Sequence, residues 1–448
     1  MIAGSVPVVI CVAAIGVVGT LSGCSGSLPS IPKISKLNPF AKAPPPLLKG
    51  KRIAVLPGRD KVGGANLAVA SGPIALPPPI SNVSWTQPGG TPNNAPGHLA
   101  LGGQLRRSWR ANAGSGSNSK GRLTASPVVV DGRIYTLDAA TRVTAFSSSG
   151  GTVAWRASLT PAGERGREGY GGGLAVDGGR LFAATGFGTV VALDPRTGKK
   201  IWEQNLKTPM RASPTAAQGR VFVVSTDGRA ICLNAEDGSK LWEYRGVPET
   251  KSIISNPSPA VDGNVVAVPY PNGDIAVLNI ENGTALWMES LARTRSASSF
   301  ASMNDAARPA ISGGVVFAVG HAGRLIAAQK STGERKWSLK IPGTQTPWIA
   351  GDNVFIVDTS GKLSAISRGQ GTLKWAVKLP EASTWSGPTL AGSTLWLTSH
   401  KGHLIGVDAA TGRVTQKLTL GEPIYIAPVV ASGQLFVLTD RAQLVAFR

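Results

Sequence analysis

A tryptophan preceded four residues earlier by a glycine recurs along the chain, and this spacing restricts the fold more than any other feature. Trp155, Trp202, Trp242, Trp287, Trp337 and Trp375 follow one another at intervals of 38 to 50 residues, and Gly151, Gly198, Gly238, Gly283, Gly333 and Gly371 stand four residues ahead of them. A seventh copy pairs Gly412 with Gln416. Ten residues ahead of those glycines come Gly188, Gly228, Gly273, Gly323, Gly361 and Gly402, where the first copy has Thr141. Twenty-eight residues ahead of the tryptophan position stand Pro127, Pro214, Pro259, Pro309, Pro347 and Pro388, with Leu174 in the second copy. The unit is therefore ungapped from its proline to its tryptophan, and all length variation falls between units.

Between these fixed points residues alternate as strands do, as in Arg220-Val221-Phe222-Val223-Val224 and Asn353-Val354-Phe355-Ile356-Val357. Asp227-Gly228 and Asn272-Gly273 supply the positive φ that tight hairpins require. Each unit thus reads as four antiparallel strands, the first opened near the proline and the last carrying the tryptophan. One such sheet cannot bury both faces alone, so successive sheets stack radially, which makes the fold class all-β and the architecture a β-propeller. Each tryptophan then buries roughly 150–250 Å² against a neighbouring sheet, a structural role. Pro428 opens one more unit, but the sequence given ends at Arg448 before its tryptophan position, while Trp109 belongs to no complete unit. The expected solution is an N-terminal strand completing the C-terminal blade, giving eight blades over residues 80–448.

In such a blade the connection from the last strand to the next first strand emerges on one side of the disc, where a rigid scaffold tolerates insertions. The longest interval, 22 residues, separates Trp287 from Pro309 and carries Arg293, Arg295, Phe300, Met303, Asp305 and Arg308. Its cations, Phe300 and Met303 suit a partner surface, with a merely solvated loop as the rival. The preceding connection carries Lys251, Ile253 and Ile254, either exposed to a partner or packed under the rim. The connection after Trp155, with Arg165, Arg167 and Tyr170, suggests no role.

The first residues indicate export. An apolar run from Val6 to Leu21 ends at Leu21-Ser22-Gly23-Cys24, the pattern of a lipoprotein signal peptide over residues 1–23 with Cys24 as the lipidation site. Acyl chains on Cys24 would hold the chain on a membrane. Residues 24–79 are rich in Pro, Lys, Gly and Ala and read as an extended membrane tether. With Cys11 in the signal segment and Cys24 lipidated, Cys232 has no disulfide partner, and its neighbours Ile231 and Leu233 mark a buried strand position. The 46 Lys+Arg against 25 Asp+Glu give +21, but no zinc spacing, P-loop, helical basic region or aromatic RNA-binding signature accompanies that charge, so nucleic acid is not expected. Catalytic, cofactor and metal signals are likewise missing from the linear sequence: His98, His321, His400 and His403 read as surface or turn residues, and no nucleophile elbow is present.

The stretch Ala192-Leu193-Asp194-Pro195-Arg196-Thr197-Gly198-Lys199-Lys200-Ile201-Trp202 resembles the repeat of PQQ-type propellers. With the lipobox, the proline-rich tether and eight blades, the chain is similar to the BamB family, lipoproteins of the outer-membrane β-barrel assembly (BAM) complex. The resemblance implies a non-catalytic scaffold in the outer membrane, facing the periplasm, with Ser25 after the lipidated cysteine favouring that membrane. It implies binding to the periplasmic POTRA domains of BamA, and assistance to nascent outer-membrane proteins as they fold and insert. The family's contact loops correspond to residues 251–256 and 300–308, its acidic pair being represented by Asp305. Two rivals remain: a PQQ-dependent dehydrogenase, which resembles the chain in its repeat but usually carries a vicinal disulfide and calcium-binding acids, and a propeller that anchors some other envelope component.

Overall fold

The computed structural model describes residues 74–119, 121–246, 257–291, 306–321 and 323–448. Among them lie eight four-stranded antiparallel sheets arranged in a ring, so the protein is an eight-bladed β-propeller. The first blade shows the pattern: strands Val128–Val130, Arg133–Leu137, Arg142–Ser147 and Val153–Ser158 run from the axis outward. Blades 2 to 7 occupy residues 172–205, 215–245, 260–290, 310–339, 348–378 and 385–419. In blade 8, Val429–Ala431, Gln434–Leu438 and Gln443–Phe447 are joined on the outside by Arg107–Asn112, with Trp109 opposite Ala446. The strand from the other end of the chain closes the ring, as the unpaired Trp109 implies.

The recurring tryptophan and glycine are two halves of one joint. Six of the indoles, those of Trp109, Trp155, Trp202, Trp242, Trp337 and Trp375, lie tilted against an aromatic of their own blade, as Trp242 does against Phe222 with ring centres 5.9 Å apart. Its other side covers the next blade's glycine, so a Cβ on Gly283 would lie 2.5 Å from the Trp242 ring. The indole Nε1 then donates to a carbonyl in that same turn, from Trp155 to Pro195 at 3.0 Å, Trp242 to Ile280 at 2.9 Å and Trp337 to Arg368 at 2.8 Å. The glycine is needed twice over, for lack of a side chain and for its φ of +72° at Gly283. We expect Gly283→Ala to cost about 2–4 kcal/mol in chemical denaturation, from strain plus a displaced indole. A loss under about 0.5 kcal/mol would show that the joint is not tight.

Gln416 replaces the tryptophan at the one joint where this geometry cannot exist. The turn that would follow the third strand of blade 8 is the break between Arg448 and Leu105, so no turn glycine faces blade 7. Gln416 instead clamps the incoming main chain, donating to Leu105 O at 2.8 Å and accepting from Leu105 N at 3.1 Å.

A second closure was not legible in the sequence. The innermost strands present unpaired N–H and C=O groups to the axis, and buried groups of that kind require partners. Residues 80–102 supply them by circling the axis as a strap, in blade order. Trp85 exchanges backbone hydrogen bonds with Val129 of blade 1, and Thr86 O accepts from Val176 N of blade 2. Gln87 donates from Nε2 to Val176 O and Ala216 O and accepts from Ala216 N, joining blades 2 and 3. Pro92 O and Asn93 O accept from Val261 N and Ile311 N of blades 4 and 5, while Asn94 Nδ2 donates to Pro259 O and Pro309 O. Trp348 of blade 6 donates its indole N–H to Gly97 O, and Leu99 bonds the main chain at Leu390 and Gly392 of blade 7. Asn82 returns to blade 8, donating to Val430 O at 2.6 Å. The strap's main-chain bonds fall at the middle residues of the inner strands of blades 1, 4 and 5, Val129, Val261 and Ile311, while Asn94 reaches the prolines just ahead of blades 4 and 5. Just ahead of it, Ile74 and Leu76 pack on the core of blades 6 to 8, and Asn353 Nδ2 donates to Ala75 O at 2.8 Å.

Candidate docking face and axial funnel

Two sides of the ring differ in chemistry because the strand order makes them so. One side gathers the short turns between first and second strands, together with the strap. The other gathers the second-to-third hairpins and every connection from an outermost strand to the next innermost strand. The two long connections join Lys240–Arg245 to Ala260–Asp262 and Ala285–Ser290 to Ala310–Ser312, so they leave and re-enter neighbouring blades 3, 4 and 5 on this second side. Lys251, Ile253 and Ile254 of the first, and Arg293, Arg295, Phe300, Met303 and Asp305 of the second, lie outside the described residues, as does Cys24.

Arg308 is described, and it does not project with the connection. It directly precedes Pro309, which opens the inner strand, and its side chain runs toward the axis. Its Nε donates to Ser258 Oγ at 2.8 Å, and Nη1 lies 3.5 Å from Pro88 O and from Thr346 Oγ1. Burial pulls its guanidinium pKa down to about 10. Around it is a cavity of about 130 Å³ lined by residues just ahead of the inner strands, including Ser126, Pro257, Thr346 and Tyr425. The cavity thus lies where the segments leading into the inner strands converge, with Pro88 of the strap in its wall. Tyr425 is 49% exposed.

The other residues singled out by type have structural explanations. Cys232 is fully buried between Phe222 and Trp242, its cross-strand neighbours, and burial pushes its thiol up to about 12. A thiol reagent should therefore label Cys232 at least about a hundredfold faster in denaturant than in buffer, since only the thiolate reacts; equal rates would refute its enclosure. His98 accepts from Ser393 N at 3.0 Å through Nε2 and lies 2.7 Å from Pro77 O through Nδ1, fastening the residues ahead of the strap to blade 7. His403 lies 3.4 Å from Glu381, and partial burial lowers its pKa. Its sequence neighbour His400 faces Thr384 O at 3.2 Å instead, so the two imidazoles serve different contacts. Tyr170, in the connection after blade 1, is covered by the Arg211 guanidinium at 3.9 Å. Among the described residues, no three His, Cys, Asp or Glu side chains cluster closely enough to hold a metal ion.

Two features of this face escaped the sequence reading. The strap came from a stretch without periodicity. The inward course of Arg308 had a visible signal, its place immediately before the repeat proline, where every copy of the unit reaches the axis.

A family model described as "Outer membrane protein assembly factor BamB" matches residues 102–170, 139–377 and 359–448. The outer membrane protein assembly factor BamB of Burkholderia pseudomallei is 26% identical over 349 residues, covering 77% of this chain and 88% of the relative. For three other curated relatives the matched part spans 23% to 54% of the relative's length. Among solved structures, BamB from Moraxella catarrhalis superposes with a TM-score of 0.65 at 17% identity, covering 77% of this chain and all of that one. A quinohemoprotein alcohol dehydrogenase from Comamonas testosteroni gives a TM-score of 0.63 at 14% identity over 81% of this chain and 80% of the other. At such identities both structural likenesses establish the shared ring and nothing about chemistry.

Proposed function

Since the chain belongs to the family of the outer membrane protein assembly factor BamB, we propose that it is a non-catalytic scaffold of the outer-membrane protein assembly machinery. In this reading a lipid on Cys24 holds it to the outer membrane, facing the periplasm. Its connection side docks the periplasmic POTRA domains of BamA and so assists β-barrel proteins as they fold and insert. One observation carries the reading beyond family membership: the longest outer-to-inner connection, 22 residues from Trp287 to Pro309, and the 17-residue connection before it lie on adjacent blades and open on the side the strap leaves free. Length kept on one side of a rigid disc, on neighbouring blades, suits recognition of a single macromolecular partner. The candidate contact residues are Lys251, Ile253, Ile254, Arg293, Arg295, Phe300, Met303 and Asp305, with Arg308 at the inner end of the second connection.

Affinity purification of the native lipoprotein from mild detergent tests this proposal. The barrel subunit of the assembly machinery should co-purify with the full chain, and Cys24→Ala should leave the chain out of the membrane fraction. Recovery of the intact, membrane-bound propeller without that subunit would contradict the assembly role.

A further inference from the structure

His98 stands in the strap where its two ring contacts fix its charge. The hairpin between the first two strands of blade 7 turns through Gly392 and Ser393, both at positive φ, 59° and 61°, and such a turn leaves the N–H groups of these two residues without a partner inside the sheet. The strap takes both: Gly392 N donates to Leu99 O at 2.9 Å, and Ser393 N donates to His98 Nε2 at 3.0 Å. Across the ring, Nδ1 lies 2.7 Å from Pro77 O. A peptide N–H only donates and a peptide carbonyl only accepts, so Nε2 presents its lone pair and Nδ1 carries the proton, which makes the imidazole neutral and a single tautomer. The residue is 4% exposed. An imidazolium has N–H on both nitrogens, and its Nε2–H would face the Ser393 N–H in a place closed to water. The charged groups on the elements packed around the ring are engaged elsewhere. Residues 77–80, 96–102 and 391–394 carry no Asp, Glu, Lys or Arg. The neighbouring turns of blade 6 have Asp352, paired with Lys374, and Arg368, which donates to Gly351 O. The turn of blade 7 behind Ser393 has Asp408, whose carboxylate accepts from Thr411, and the exposed Arg413.

We infer that His98 is a proton-operated latch, which holds residues 74–79 on the ring at neutral pH and releases them on acidification. That segment is fastened at three places: Pro77 O on His98, Ala75 O on Asn353 Nδ2 at 2.8 Å, and Ile74 and Leu76 against the core of blades 6 to 8. A proton on Nε2 turns the attraction to Ser393 into N–H against N–H, and a charged imidazole enclosed by main chain must turn out to water. In leaving, the ring gives up Pro77. The strap itself is held by main-chain bonds that no proton disturbs, among them Ile80 N to His98 O and Leu99 N to Leu390 O, so the opening stops at residue 80. Release adds residues 74–79 to the chain ahead of the ring, up to about 20 Å of further reach. The latch goes beyond the docking role proposed above and does not depend on it; with a lipid on Cys24, its opening lets the disc move farther from the membrane.

Hydrogen exchange of the full chain at about pH 7.5 and about pH 5, the span over which histidines change charge, tests the latch once rates are corrected for the intrinsic effect of pH. On acidification the Ser393 amide and residues 74–76 should lose at least about tenfold in protection, while Val176, bonded to Thr86 of the strap, keeps its own. His98→Gln offers the same acceptor and donor from an amide that does not titrate, so it should stay closed at both pH values, whereas His98→Ala should be open at both. Wild-type protection unchanged by acid, or an equal loss in folded His98→Gln, would overturn the inference. So would a loss that spreads to Val176 and the blades, since that marks general acid unfolding. NMR of the His98 ring nitrogens in the wild type frees the test from the folding of either variant. At about pH 7.5 the proton should sit on Nδ1, and a proton found on Nε2 instead would overturn the latch directly.

Discussion

Replacing Asn82, Gln87 and Asn94 together by alanine lowers the unfolding free energy by roughly 3–6 kcal/mol, measured by chemical denaturation, although none of the three belongs to a blade. Gln87 and Asn94 are each 1% exposed, and the three amides are the side-chain rivets of the strap. Gln87 ties Val176 to Ala216, Asn94 ties Pro259 to Pro309, and Asn82 reaches Val430. Truncation leaves several carbonyls and one amide without a partner in an enclosed channel, and that loss exceeds the net worth of the bonds themselves. A change below about 1 kcal/mol would mean that water replaces the strap without penalty and that the ring is held by its joints alone.

The largest functional effect should come from shortening both long connections. Replacing residues 247–256 and 292–305 by short Gly/Ser loops should reduce capture of the barrel subunit's periplasmic domains by at least about a hundredfold, with little change in the denaturation midpoint. The interval from Trp337 to Pro347 is 10 residues, against 17 from Trp242 to Pro259 and 22 from Trp287 to Pro309. A blade-to-blade step can therefore be made with far less chain, and the surplus is not needed to close the ring. Charge reversal at Arg293 and Arg295 tests the same surface more gently and should weaken capture without altering stability. Full capture after loop replacement would move the docking surface elsewhere on the ring.

The ring itself was readable from the sequence because its joints are made by side chains that recur. A Trp, a Gly four residues earlier and a Pro 28 residues earlier leave a periodic trace, and even the exception at Gln416 marks the break where the two chain ends meet. The strap leaves no such trace. Its sequence, Ser81-Asn82-Val83-Ser84-Trp85-Thr86-Gln87-Pro88-Gly89-Gly90, has the composition of a linker, because its partners are main-chain edges that accept almost any donor. Only the three amides and Trp85, stacked on Trp348 at 6.3 Å, distinguish it, and none of them repeats. Arg308 was partly legible: its charge was noticed, but its position before the repeat proline, which sends it to the axis, carried the more useful information.

Hydrogen exchange of the full chain, alone and bound to the barrel subunit's periplasmic domains, tests the docking claim most directly. The account predicts new protection on the connection side, at residues 257–258, 306–308, 344–346 and 425–427 and in the two long connections. The opposite turns, such as Asp131-Gly132, Gln218-Gly219 and Ser432-Gly433, should exchange as before. Protection confined to those opposite turns, with the cavity lining unchanged, would contradict it.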